Sequence, residues 1–273
     1  QVTAYSMLLF FSVVNLYLYL RLLKDNRSTY FLAYFTFTLL GLLTHESMMY
    51  LIILENIYLF CVFKYNKAFI RKWLFLNIII FIIFLFFLNF AIRGRLEWLL
   101  GKSIFQRNNY NFLPWGVEGK ILYVFYLFSL GETVLPWNWI ITIPAFFTFS
   151  LSIVWGLLTL RTQRDKFYFF IIFLFIPIVL LNFLHNFYPR YLLPILPIFT
   201  TLAVIGISNI KVKLLKIFTF FIIIVASFYS LFNYYNGREY HNNVYLDPWR
   251  EVTAYIKANS QPNDMIILVR PNI

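Results

Sequence analysis

The chain has 273 residues, of which 61% are hydrophobic and only 12% charged, and it carries a formal net charge of +12. This balance, with a mean hydropathy of +0.73, excludes an ordinary water-soluble globular domain, and the single cysteine, Cys61, excludes an intrachain disulfide. The positive charge does not mark a nucleic-acid binder, because more than half of the basic residues flank apolar stretches and act there as topological determinants.

A hydrocarbon core of about 30 Å takes roughly 20 helical residues, with a usable range of about 17–25. In chain order the windows that meet this length are Gln1–Leu20, Ser28–Thr44, Ser47–Phe63 with the single interruption Glu55, Trp73–Ile92, Leu135–Leu160, Phe167–Leu184, Tyr191–Ile210 and Ile217–Gly237. They are unbroken apolar runs without the alternation of a membrane barrel, so they predict helices. A further apolar piece, Ile121–Leu130, is bounded by Lys120 and Gly131-Glu132; at about ten residues it is too short to cross and is expected to be interfacial or re-entrant.

Basic residues orient these helices. The clusters Arg21/Lys24/Arg27, Lys64/Lys67/Arg71/Lys72, Arg161/Arg164/Lys166 and Lys211/Lys213/Lys216 hold 13 of the 23 Lys and Arg. They fall in alternate loops only if Ile121–Leu130 does not span, which makes those loops cytoplasmic and both chain ends extracytoplasmic. The long outer loop then carries Arg93, Arg95, Lys102, Arg107 and Lys120, against the usual bias; a phosphate or polyanion ligand accounts for it, as do anionic lipid headgroups.

Residues 1–233 thus read as a transmembrane domain, all-α and polytopic with about eight spans. Residues 234–273 change character. Asp247-Pro248-Trp249 has the pattern of a helix start, Trp249, Val252, Tyr255 and Ile256 follow at helical spacing, Pro262-Asn263-Asp264 signals a turn, and Met265–Val269 has the composition of a short buried strand. This is the start of a C-terminal extracytoplasmic α/β domain. At the other end, Gln1 opens directly on a spanning helix, and the chain is expected to be an internal piece of a longer protein. No nucleotide-binding glycine loop, metalloprotease motif or internal repeat is present in the sequence.

Five segments, taken in order, carry a resemblance. They are Gln1–Leu23 with Tyr5-Ser6-Met7-Leu8-Leu9 and Tyr19-Leu20-Arg21, Leu39-Leu40-Gly41-Leu42-Leu43-Thr44-His45-Glu46, Ser129-Leu130-Gly131-Glu132-Thr133-Val134-Leu135-Pro136-Trp137, His185-Asn186-Phe187-Tyr188-Pro189-Arg190-Tyr191-Leu192-Leu193-Pro194, and Asp247-Pro248-Trp249-Arg250-Glu251. In order, spacing and membrane side, the chain resembles the GT-C glycosyltransferases of the protein O-mannosyltransferase and lipid A aminoarabinose transferase type. The resemblance implies transfer of a sugar from a polyprenyl-phosphate carrier to a protein, lipid or glycan acceptor on the outer face of a bacterial or archaeal plasma membrane. It also implies a general-base carboxylate in an outer loop that would precede Gln1. Relatives of this type often carry an Arg or an acidic residue just before the tyrosine matching Tyr5, where this chain has Gln1-Val2-Thr3-Ala4.

Chemistry makes parallel demands. A lipid-phosphate leaving group gains negative charge in the transition state, so cationic donors at the outer surface stabilise it. Arg190 fits, because its fork suits bidentate phosphate contact and Tyr188 and Tyr191 flank it with faces that stack on an isoprenyl chain or a sugar; the alternative is an interfacial Arg snorkelling between belt tyrosines. His45 and Glu46 occupy a two-residue outer turn, suited to a phosphate head or an ion on it, or to plain turn solvation. His185 on the same side can join them around a divalent Zn²⁺ or Mn²⁺ ion. Glu132 can bond a sugar hydroxyl or cap the following segment. Glu55 lies mid-helix, where an ionised carboxylate costs about 2.5–3.5 kcal/mol, so it is expected to be partnered, by Asn77, Asn89 or Asn182, in a structural or a proton-relay role. A transporter or flippase for a lipid-linked sugar and a non-catalytic membrane scaffold are the competing functions; the first calls for repeats and midplane-broken helices, and the second draws on the uncharged Gln1–Thr3.

Overall fold

The computed structural model of the chain describes residues 2–62, 67–91, 117–131, 133–183, 189–236, 249–259 and 261. Within them the order is α1 (Val2–Lys24), α2 (Ser28–Thr44), α3 (Met48–Val62), α4 (Lys67–Ala91), α5 (Val117–Leu130), α6 (Trp139–Leu160), α7 (Arg164–Phe183), a 3-10 segment (Pro189–Ile195), α8 (Leu196–Ser208), α9 (Lys213–Asn236) and α10 (Trp249–Asn259), with no strand among the described residues. Among the described residues five stretches are long and apolar enough to cross a membrane: Tyr5–Lys24, Lys67–Phe87, Trp139–Leu160, Tyr191–Ser208 and Lys213–Asn236. Helices α2 and α3, with 17 and 15 residues, are apolar but shorter. The expected strand Met265–Val269 lies outside the described residues, whereas the expected helix after Pro248 is present as α10.

Helix is what an apolar environment allows, since each backbone N–H and C=O must find its partner inside the segment. Polar side chains follow the same rule. Ser12, Thr36, Thr44, Ser152, Thr159 and Ser227 each donate to the carbonyl four residues earlier, at 2.7–3.0 Å, and so cross the apolar layer without an unanswered hydroxyl. The helices extend past the apolar windows into charged sequence. Helix α4 begins at Lys67 rather than Trp73, because Lys67, Arg71 and Lys72 continue helical bonding while their charged heads stay near water.

The exposed faces are the apolar ones. On α9, Thr219, Ala226 and Asn233 are buried, while Leu214, Ile217, Phe218, Phe221, Phe228 and Phe232 are exposed. A seven-residue repeat of small and polar side chains therefore faces the protein, and the bulky apolar side faces outward, the reverse of a helix on a soluble protein. Helix α4 likewise buries Phe69, Trp73, Ile80 and Phe84 and leaves Phe75, Ile78, Phe81, Ile82 and Phe86 outside. Helix α5, expected to lie at the interface or re-enter, is a 14-residue helix, about 21 Å long. It buries Val124, Tyr126, Leu127 and Leu130, and Phe125 and Phe128 stand edge-on to Phe199 of α8 at 5.5 and 4.5 Å.

The most extensive helix pairing joins α6 to α8. Gly156 and Gly206 face each other there, with Ser152 buried beside them. A Cβ on Gly156 would collide with the carbonyl oxygen of Leu202, and one on Gly206 with that of Ser152. The two backbones are in direct contact, as small residues permit between membrane helices. Gly156→Ala and Gly206→Ala should each lower stability by about 1–3 kcal/mol or more, because backbone cannot step aside as a side chain can. Gly41→Ala should cost less, since its new methyl would meet only the flexible Met48 side chain, at 2.9 Å. Thermal unfolding of the three variants in detergent checks the ranking, and equal losses would contradict a backbone-on-backbone crossing.

Candidate functional site

At one end of the bundle, His45 stands at the close of α2 in extended backbone, with its N–H bonded to the Gly41 carbonyl at 2.9 Å. The turn is tight because the carbonyls of His45, Glu46 and Ser47 accept the N–H groups of Met48, Met49 and Tyr50 at 3.0–3.1 Å, which starts α3 at once. The backbone N–H of Ser47 points at Nδ1 of His45 at 3.1 Å, and the Ser47 hydroxyl lies 2.7 Å from the same nitrogen. An amide N–H can only donate, so Nδ1 accepts, and the proton of the neutral imidazole sits on Nε2. A buried serine has thereby fixed the tautomer of a half-buried histidine.

Two tyrosines flank that imidazole. The Tyr5 ring lies 5.3 Å away, centroid to centroid, and the Tyr191 ring 6.0 Å, both tilted. Tyr5 comes from the first turns of α1 and Tyr191 from the 3-10 segment, which packs on α1, α3 and α7 and opens with Pro189. Arg190 is the residue before Tyr191 in that segment. Of the residues singled out in the sequence, His45 and Tyr191 are thus brought together, and Tyr5 joins them. Glu46 is exposed on the same turn. Glu132, His185 and Tyr188 lie outside the described residues, as does the side chain of Arg190. Among the described residues no cluster of three or more His, Cys, Asp or Glu forms a metal site.

The Gly131–Trp137 segment is pinned to α9 by groups that sequence reasoning did not single out. The Thr133 hydroxyl lies 2.9 Å from the Ser230 carbonyl and 2.8 Å from the Ser230 hydroxyl, and the Asn233 amide donates to the Thr133 carbonyl at 3.2 Å. Tyr126 donates to the Val134 carbonyl, and Asn138 donates to the Tyr229 hydroxyl at 3.0 Å. Gly131 has φ +73°, and a Cβ there would lie 3.1 Å from the Ser230 hydroxyl, so both conformation and space call for glycine. The signal that could have found this seam is the seven-residue spacing of Thr219, Ala226 and Asn233 in an otherwise bulky helix.

Deeper in the bundle, Glu55 is fully buried and its partner is Tyr34, which donates to Oε2. Of the three asparagines expected as partners, Asn77 does not take that place among the described contacts, and the side chains of Asn89 and Asn182 lie outside the described residues. Asn77 instead accepts from Asn56 at 3.3 Å, and Asn56 accepts from the Trp73 indole N–H at 2.9 Å. Helix rotation decides between these partners, and apolar windows this uniform do not encode it.

No family model, no curated protein and no solved structure matches this chain.

The seam between the loop and α9 is testable by a double-mutant cycle. Thr133→Val and Ser230→Ala should each destabilise the protein in detergent, with a coupling of about 0.5–1.5 kcal/mol between them. Strict additivity would mean that the two hydroxyls do not act on each other.

Proposed function

We infer that this chain is the membrane-embedded part of an enzyme that moves a sugar from a polyprenyl-phosphate carrier to a protein, lipid or glycan acceptor on the extracytoplasmic face. One observation carries the reading. Three separate segments that bear the resemblance to GT-C glycosyltransferases meet in one aromatic cluster, Tyr5–His45–Tyr191, at one end of the bundle. That grouping follows from neither composition nor apolar periodicity. In this reading about eight helices span, both ends of the chain face outward, and the cluster lies on the outer side, in agreement with the segregation of 13 basic residues into alternate loops.

The chemistry assigns roles to side chains. The bond from the sugar's anomeric carbon to the phosphate oxygen breaks as the acceptor hydroxyl bonds to that carbon, and the acceptor's proton passes to a base. The resemblance implies that this base is a carboxylate. The departing lipid phosphate gains negative charge, which the Nε2–H of His45 and the guanidinium of Arg190 are suited to stabilise. Tyr5, Tyr188 and Tyr191 offer faces on which a sugar or isoprenyl chain can stack. The topology drawn from the basic loops assigns Glu46, Glu132 and His185 to the outer side, where such groups suit polar contacts to the donor, the acceptor or a divalent ion.

Transfer assays in membranes expressing the full-length protein test the roles. Arg190→Lys keeps the charge and loses the fork, so transfer should fall about 10-fold or more at near-normal expression. His45→Ala should slow transfer with little change in melting temperature, whereas loss of activity in proportion to stability would make His45 a structural turn residue. Glu46→Gln, assayed with and without chelator, reports on an ion. For the topology, in a Cys61→Ala background Asn108→Cys and Asn242→Cys should label from outside and Asn66→Cys only after permeabilisation. Cytoplasmic labelling of the first two would overturn the orientation.

A further inference from the structure

Trp137 and Trp139 are 63% and 66% exposed, and Ile140, next along the chain, is 87% exposed. The segment that carries them is nevertheless held in place. Asn138, between the two tryptophans, donates to the Tyr229 hydroxyl of α9 at 3.0 Å, and Asn233 of α9 donates to the Thr133 carbonyl at 3.2 Å. Tyr234 and Tyr235 follow Asn233 directly; their rings lie 5.4 Å apart, and Tyr235 is 81% exposed. Aromatic rings therefore gather at one level, where α6 begins and α9 ends.

The opposite ends of the same two helices are cationic. Arg161 and Arg164 follow α6, and α9 opens with Lys213 and Lys216. At 1.5 Å per residue the 22 residues of α6 cover about 33 Å, and Lys213 to Tyr234 of α9 about 32 Å, against a hydrocarbon core of about 30 Å. Between those ends α6 exposes Ile140, Ile143, Phe147, Leu151, Val154 and Leu158, one apolar stripe at helical spacing. Trp139 stands where that stripe begins. Neither indole N–H, of Trp137 or of Trp139, has a hydrogen-bond partner among the described residues. Deep in hydrocarbon each would remain an unanswered donor, and in water the rings and Ile140 would leave a large apolar patch wet. The boundary between headgroups and chains answers both, because ester and phosphate oxygens accept the N–H while the ring lies against the chains.

Tyr191 and His45 lie at this same end. Helix α8 closes beside the start of α9, where Lys216 Nζ donates to the carbonyl of Ser208, its last residue, at 2.8 Å. The stretch Tyr191–Ser208 therefore begins at the aromatic end, and the His45 ring is 6.0 Å from that of Tyr191.

We propose that Trp137, Trp139 and Tyr235 form a lipid-binding surface that seats residues 133–138 in the headgroup boundary of a phospholipid bilayer, at the end of the bundle that carries His45 and Tyr191. The segment is then held on two sides, by α9 through Thr133 and Asn138 and by lipid through the tryptophans. Its depth in the membrane is fixed as a result.

Fluorine NMR of the fluorotryptophan-labelled protein in phosphatidylcholine nanodiscs tests this. The two resonances are assigned by their loss in Trp137→Phe and Trp139→Phe, or in the corresponding Tyr variant should a Phe variant fail to fold. Lipid with a nitroxide near its headgroup should broaden both resonances more than lipid with the nitroxide at the chain end, and more than a water-soluble gadolinium chelate. Strongest broadening by the chelate would place the surface in water, open to a soluble partner, and overturn the proposal. Strongest broadening by the chain-end label would overturn it by placing the rings in the hydrocarbon, and no broadening by any agent would do so by showing the rings covered by protein, as by a second copy of the chain.

Discussion

A polar group carried into an apolar layer is costly unless another group answers it, and the arrangement of the helices follows from how this chain answers most of its own, Oδ1 of Asn15, Oε1 of Glu55 and Oγ of Ser150 excepted. The cheapest answer is local, a hydroxyl returned to the carbonyl one turn back, as Ser12 and Ser227 do. Such bonds fix nothing between helices. The costlier answers are the ones that build the bundle: Asn15 to Thr38, Tyr34 to Glu55, Trp73 to Asn56, Thr133 to Ser230. Apolar contact gives no comparable direction, because lipid and leucine are equally apolar.

These bonds divide the bundle into two polar junctions. One holds α1, α2, α3 and α4 through the tyrosines, Glu55 and Trp73, and the rings of Tyr19, Tyr34 and Trp73 close around it. The other holds the loop before α6 to α9 through Thr133, Ser230 and Asn233. Between them α6 and α8 are joined by bare backbone contact at two glycines. The cluster of Tyr5, His45 and Tyr191 draws on the first junction for α1 to α3 and on the prolines of the 3-10 segment for Tyr191, so its geometry rests on fixed elements and not on a free loop.

Much of the helix pattern was legible in the sequence, because a charged residue in an apolar window is rare and marks an edge; Ser28–Thr44 coincides with α2 at both ends. Elsewhere some starts moved outward, whereas the start expected at Leu135 lies inward at Trp139 and the one expected at Ser47 lies inward at Met48. Trp73–Ile92 became Lys67–Ala91 and Ile121–Leu130 became Val117–Leu130, since helical bonding does not stop where hydropathy does. Of the site, His45 and Tyr191 could be read from their position at turns, while Tyr5 entered only as part of a motif. The partners of Glu55 could not be read at all. Tyr34 and Asn77 stand equally well on apolar helices, and only the rotation of each helix about its axis decides which one points at the carboxylate.

The glycine crossing of α6 and α8 bears on how the protein responds to temperature. When two water-soluble surfaces part, apolar groups enter water and the heat capacity rises, which bends the stability curve and weakens the fold in the cold. When α6 parts from α8 inside a lipid or detergent layer, backbone and small side chains exchange protein neighbours for hydrocarbon, and no water is ordered or released. The enthalpy of that separation is then nearly constant with temperature. Stability at this crossing therefore declines almost in a straight line on warming and keeps rising on cooling, without the low-temperature maximum of a soluble domain.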